Sequence, residues 1–199
     1  MDSQHRRRMT AEARREQILD VAHTIIAAAG FHAATPHRIA ATAGVNRSLL
    51  YQQFGDLPGL FVALIDREAA RAATQFAAAI ADDDPEPGAD PLLRAFDGVL
   101  SAVDAHPETW RLFLFPPQGA PPELYERLAV SQAVVCEYFV GQLLRINPDL
   151  EDPEYTARVL QASGRELLQL RLADPASATR DRLRALVRRL NSELLYRIR

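Results

Sequence analysis

The chain has 199 residues, 48% hydrophobic and 25% charged, the proportions of a globular protein large enough to bury a real core. Its one cysteine, Cys136, excludes an intramolecular disulfide and any multi-cysteine metal site, and no run approaches the roughly eighteen consecutive apolar residues that a membrane span requires. The net charge of −3 hides an asymmetry: all 23 basic residues are Arg, and residues 1–55 hold seven of them against Asp2, Glu12, Glu16 and Asp20, a balance of +3 that leaves −6 for the remainder.

A mildly basic head on an acidic body suits a protein that offers one end to nucleic acid. The N-terminus, MDSQHRRRMT, has no apolar segment behind its charges, so we expect no signal peptide and a cytoplasmic location. Residues 1–9 read as a flexible Arg-rich arm in which Arg6, Arg7 and Arg8 are placed either to touch DNA or simply to be solvated. From Thr10 a helix is predicted to about Ala29, with Ile18, Ala22, Ile25, Ile26 and Ala29 at helical spacing toward the core and Gly30 as its C-cap. His23 and His32 have no partner at metal-ligand spacing and read as solvated or locally bonded side chains.

The most informative stretch is Thr35 to Phe54, TPHRIAATAGVNRSLLYQQF. Thr35 is an N-cap followed by Pro36, whose missing N–H costs nothing in a first turn. Ile39, Ala40 and Ala43 form the inward side of a short helix that Gly44 ends, with Val45 plugging the turn. Asn46 caps a second helix in which Leu50 and Phe54 share one face, while Arg47 and Tyr51 are expected on the opposite one with Ser48, Leu49, Gln52 and Gln53 around them. Two short helices joined through a glycine turn, the second rich in side chains suited to base edges, describe a helix-turn-helix.

Read from Arg15, the register of Ile18-Leu19, Ala22, Gly30-Phe31, Thr35, Ile39-Ala40, Ala43-Gly44-Val45, Leu50-Tyr51, Phe54 and Leu60 resembles the DNA-binding domain of the TetR family of transcriptional regulators over residues 11 to about 65. The resemblance implies an all-α chain. It would consist of a three-helix helix-turn-helix domain at 10–56, then a larger helical effector-binding and dimerisation domain at 57–199. It also implies that Arg47, Leu49, Gln52 and Gln53 meet base edges, that Ser48 and Tyr51 contact phosphate or base, that Thr35 and Arg38 hold the backbone, and that His37 faces the groove. One departure stands out: the family usually has a Lys directly after the cap of the next helix, where this chain has Leu57.

Asp56 is placed to cap a connecting helix from Leu57 to about Ala81, roughly 37 Å at 1.5 Å per residue. Its first half is apolar through Leu60, Phe61, Leu64 and Ile65, and its second half is slim with alanine. DDDPEPGAD, residues 82–90, is the clearest break in the chain. Further helices are expected over Pro91–Ala105, Glu108–Phe115, Glu123–Arg145, after Pro153 to about Ala173, and after Pro175 to about Ile198. The Glu123–Arg145 helix should turn Leu124, Leu128, Val135, Phe139, Leu143 and Leu144 inward. No stretch alternates with period two, which leaves no strand.

The resemblance implies a homodimer paired through the last two helices, for which Leu167, Leu170, Leu183, Leu186, Leu190 and Leu194 are the apolar candidates; the same leucines could equally complete an intramolecular core. Phe96, Trp110, Phe113, Tyr125, Tyr138 and Phe139 supply the aromatic surface that a cavity for an unknown, mostly apolar small-molecule effector would need, although aromatics at helical spacing also serve as plain core. No cofactor or metal is expected. Cys136 lacks a nearby His, and no phosphate loop, zinc motif or nucleophile elbow is present, so the enzyme class is disfavoured. An architectural helical protein would leave the Arg, Gln and Tyr of the second helix unexplained. The expected function is a regulator on a pseudo-palindromic double-stranded DNA operator, a repressor released by ligand, with a ligand-responsive activator as the alternative.

Overall fold

Prolines and short polar caps set where the helices begin. The computed structural model describes residues 9–81 and 90–196, and side chains as far as residue 193. Among these, the chain folds into α1 (Ala11–Ala29), a 3-10 turn at Phe31–Ala33, α2 (Pro36–Ala43), α3 (Arg47–Phe54), α4 (Leu57–Ile80), α5 (Pro91–Ala105), α6 (Pro107–Leu114), α7 (Pro122–Ile146), α8 (Pro153–Ala173) and α9 (Arg180–Tyr196), with no strand. The all-α expectation holds. α6 and α7 each start one residue earlier than the sequence reading, on Pro107 and Pro122, because proline's fixed φ suits a first helical position. The Arg6–Arg8 arm, residues 82–89 of the acidic break, the end of the last helix near Ile198 and the side chain of Leu194 lie outside the described residues.

The chain divides into two compact units: residues up to Arg67 with Pro117–Leu124, and Glu68–Pro116 with the segment from Tyr125 onward. In the first, Ile18, Leu19, Ala22, Ile25 and Ile26 of α1 pack with Ile39, Ala40 and Ala43 of α2, Leu50 of α3, and Leu60, Leu64 and Ile65 of α4, all buried. Phe31 lies edge-on to Phe61 at 5.1 Å between ring centres. Ala29 does not join this core; it is exposed beside the C-cap Gly30, where α1 has run past its neighbours. His23, read as solvated or locally bonded, is buried on the core side of α1. Arg67 binds Glu16 at 2.9 Å and Asp20 at 2.8 Å.

In the second unit one core gathers Val99, Leu100, Val103, Leu114, Leu167, Leu168, Leu172, Ala178 and Leu183. Another, around Leu92, Leu143 and Ala157, is flanked by Cys136, Phe139 and Val140. That second cluster sets the azimuth of α7 and corrects one expectation. Leu143 is buried, but Leu144, about 100° further round the helix, is exposed. Polar side chains tie the helices together. Asp90 caps α5 through Oδ1 and accepts from buried Asn191 through Oδ2 at 2.8 Å, Arg171 and Arg180 share Asp104, and Arg184 meets Asp97 at 3.0 Å. No helix among the described residues is long and apolar enough to cross a membrane.

Candidate nucleic-acid interface

The pair α2–α3 is built from local rules. Thr35 Oγ1 accepts from the Arg38 N–H at 3.3 Å and caps α2, with Pro36 in its first turn. α2 ends at Gly44, in the left-handed region at φ 64°, ψ 36°, where a side chain would be strained. The Val45 N–H returns to the Ala40 carbonyl at 3.0 Å and the Gly44 N–H to Ala41 at 3.3 Å, a Schellman closure that turns the chain sharply. Asn46 Oδ1 then accepts from the Leu49 N–H at 2.8 Å to cap α3. After α3, Asp56 Oδ1 accepts from the Gly59 N–H at 2.7 Å to open α4. Gly59 has a reason the sequence did not disclose: a Cβ there would lie 2.3 Å from the Phe54 carbonyl oxygen, so glycine lets α3 and α4 join closely.

α3 buries Leu50, half-buries Phe54, and exposes Arg47, Ser48, Tyr51 and Gln52; Leu49 and Gln53 are half-buried on its flank. At about 100° per residue, it is Ser48 and Gln52 that stand diametrically opposite Leu50 and Phe54, with Arg47 and Tyr51 beside the buried pair. The expectation that Arg47 and Tyr51 occupy the opposite face is corrected to that extent, although both are exposed. Ser48 gives its hydroxyl hydrogen to Asn46 Oδ1 at 2.8 Å, which leaves its oxygen as an acceptor in this arrangement. His37 and Arg38 are exposed on the first turns of α2, next to the cap at Thr35. A shallow cleft of only 10 Å³ between Pro36, Leu50, Tyr51, Asp56, Leu57 and Leu60 has room for about one water, which makes it a packing gap. Leu57, half-buried, forms part of its wall.

The exposed side chains of α3 include a guanidinium and an amide, the groups whose donors and acceptors match the edges of guanine and adenine. Sequence reasoning missed what holds this helix from behind. Arg15 of α1 reaches the Gln53 carbonyl at 2.7 Å and lies over the Phe54 ring, and Gln17 Nε2 stands 3.4 Å from the Ala43 carbonyl at the end of α2.

The other proposed sites lie in the second unit. Phe96 and Trp110 are half-buried against its larger core, where Phe76 also packs. Phe76 stacks edge-on with Tyr138 at 5.8 Å, and Tyr138 lies 5.8 Å from Phe139. Phe96 and Trp110 thus share a core with Phe76, while Tyr138 meets both Phe76 and Phe139; Phe76, the one aromatic residue in the alanine-rich half of α4, was overlooked. Trp110 Nε1 donates to Gln75 Oε1 at 2.7 Å. Phe113 is half-buried, while Tyr125 is 53% exposed and outside that group. Of the leucines considered for dimerisation, Leu167 and Leu183 are buried in their own unit. Leu186 is half-buried against the same core, Leu190 is half-buried, and Leu170 is 47% exposed. Tyr155 and Val159, four apart on α8, are exposed as well.

Comparison with known proteins agrees with this geometry. Residues 18–64 match the model of the bacterial regulatory proteins of the tetR family. A TetR-like transcriptional regulator from Rhodococcus sp. RHA1 is similar over 93% of this chain and 99% of its own, with 26% identity and a TM-score of 0.72. A putative transcriptional regulator from Pseudomonas aeruginosa PAO1 shares the fold over all of both chains at 21% identity and a TM-score of 0.75. The fatty acid degradation regulator FadR from Bacillus halodurans does so over 94% of this chain and 96% of its own, at 18% identity and 0.67. No curated protein gives a significant match. With a head that matches the tetR family model over residues 18–64 and a fold shared along the whole chain with a TetR-like regulator, this protein is similar to the DNA-binding transcriptional regulators of the TetR family.

Proposed function

We propose that the protein is a homodimeric repressor that leaves a pseudo-palindromic operator when a small, mostly apolar ligand binds its second unit. The observation that carries the reading is the outward face of α3, where Arg47, Ser48, Tyr51 and Gln52 are exposed on a helix whose cap, turn and buried side are all accounted for. Residues 10–56 act as the reading head, Leu57–Ala81 as the connecting element, and the body from residue 57 onward as the part that binds effector and pairs subunits. Arg47, Leu49, Gln52 and Gln53 face base edges. Ser48 and Tyr51 contact phosphate or base, Thr35 and Arg38 hold the backbone, and His37 faces the groove. Contacts to the backbone fix register and only base contacts carry sequence information.

Two heads entering successive major grooves call for half-sites about 34–36 Å apart or somewhat more. The aromatic side chains of Phe96, Trp110, Tyr138 and Phe139, two of them on the same core as Phe76 and Tyr138 edge-on to it, favour an apolar effector. Release requires that the effector bind the DNA-free state more tightly than the DNA-bound state. Such a protein works in the cytoplasm. Selection of bound duplexes from a random pool tests the reading. A dyad-symmetric sequence should emerge whose complex dissociates when the right apolar compound is added; a non-symmetric or absent consensus would contradict the dimeric model.

A further inference from the structure

α3 has eight residues, about two turns, too few to hold its own geometry in water. Its last turn is held from α1. Arg15 Nη1 donates to the Gln53 carbonyl oxygen at 2.7 Å, and the guanidinium carbon stands 4.3 Å from the centre of the Phe54 ring. The hydrogen bond holds the helix along its axis, and the cation over the ring holds its rotation. A cation at this point also complements the negative end of the helix dipole. The neighbouring carbonyl of Tyr51 is taken by the Gly55 N–H at 2.9 Å, so the Arg15 contact serves a carbonyl that the C-cap does not reach.

The same stretch of α1 reaches α2. Arg14 Nη1 donates to Gln17 Oε1 at 2.8 Å, which turns the Gln17 amide nitrogen toward the Ala43 carbonyl 3.4 Å away. Arg14–Gln17 thus addresses the C-terminal ends of both helices of the reading pair, with Arg15 making the shorter and stronger contact.

We infer that Arg15 is a positioning residue for sequence discrimination: it holds α3 at the rotation and height at which its outward side chains meet base edges. The inference rests on the reading of α3 as the base-contacting helix. Base-edge hydrogen bonds need placement to within about 0.5 Å and 10–20°, so a loosened α3 loses them first. Attraction to phosphates tolerates such displacement and persists. Arg15 therefore acts on the ratio of specific to non-specific binding. A guanidinium that contacted phosphate itself would act on both alike.

The test uses the full-length protein, a duplex enriched by the wild type from a random pool, and a shuffled duplex of equal length at one salt concentration. Arg15→Met keeps the apolar stem and removes the hydrogen bond and the charge. It should weaken binding to the enriched duplex by about 10- to 100-fold, the range of one or two impaired base contacts, and to the shuffled duplex by less than about 3-fold. Arg15→Lys keeps the charge but cannot both stack as a plane and donate in it, so discrimination should fall there too. Helicity and melting are followed in parallel. If Arg15→Met does not fold, Phe54→Leu decides, since it removes the ring beneath the guanidinium while keeping apolar bulk, and it should show the same selective loss. Equal losses on both duplexes in Arg15→Met, restored by Lys, would make Arg15 a phosphate contact and overturn the inference; so would undiminished discrimination in a folded variant. If the wild type enriches no duplex, the reading of α3 itself has failed and the inference falls with it.

Discussion

Thr109 of α6 donates its hydroxyl hydrogen to Glu68 Oε2 of α4 at 2.6 Å, and Glu68 is entirely buried. Its other oxygen accepts from Arg71 at 2.9 Å, and on the next residue of α6 Trp110 Nε1 binds Gln75, seven residues along α4. A buried carboxylate is tolerable only while its oxygens are bonded. Thr109→Val keeps the shape and removes the donor, so it should cost about 1–3 kcal/mol of stability, while Thr109→Ser stays near wild type. Denaturant midpoints decide it. A Val variant as stable as wild type would show that Thr109 does not support Glu68.

Asp97 responds to pH in the opposite sense from most ion-paired carboxylates. Loss of hydration holds its carboxyl above the ordinary range, against the lowering influence of Arg184, Arg180 and Arg188. A raised pKa in the folded state means that ionisation works against folding above that pKa. The penalty is relieved as the carboxyl is protonated, fully so below the ordinary value of 3.8. The melting temperature of wild type relative to Asp97→Asn should therefore rise as pH is lowered from about 7 to 4. A relative fall on acidification would mean that the Arg184 pair dominates.

Leu57 is the point where the chain departs from the pattern of the family it resembles, and it is half-buried beside Pro36, Leu50 and Leu60. A lysine there can lay its stem along the same apolar wall and carry its ammonium outward. Leu57→Lys should bind both operator and random duplex more tightly at low salt with little change in their ratio. The slope of log affinity against log salt should steepen by about 0.9 per subunit, or about 1.8 for a dimer. An unchanged slope with a lowered melting point would assign the residue to the fold alone.

Pairing of subunits is tested best where the monomer's own core is untouched. Leu170 is 47% exposed on α8, whereas Leu186 also packs against its own unit's core. Leu170→Glu should shift sedimentation toward monomers and abolish operator binding with helicity intact. Leu186→Glu combined with Leu190→Glu should do the same at some cost in melting temperature. Monomers that bind a full palindrome with wild-type affinity would contradict the paired-head model.

The helix-turn-helix was legible because its determinants are local. Thr35 and Asn46 each cap an N–H three residues on, Gly44 takes the one left-handed conformation the turn requires, and Leu50 and Phe54 are a single turn apart. What escaped the sequence joins distant positions. Arg15 and Gln53 are 38 residues apart and Asp90 and Asn191 are 101 apart, and neither residue type advertises its partner. Nor does the sequence display the Phe54 carbonyl that makes glycine necessary at position 59. Leu144 looks inward by sequence but is exposed, because Leu143, about 100° away on the helix, is the one that meets Ala157 and Leu92.

The central claim is that the exposed side chains of α3 read base edges, and Arg47, its first residue, gives the sharpest test. The measurement is competition of wild type and Arg47→Ala for the enriched duplex and for single-base variants at each half-site position, at fixed salt. The account predicts a loss of about 1–3 kcal/mol on the enriched duplex, with discrimination relaxed at one base pair per half-site and unchanged elsewhere. A loss of equal size on every sequence would make Arg47 a phosphate contact and contradict the assignment of α3 as the reader.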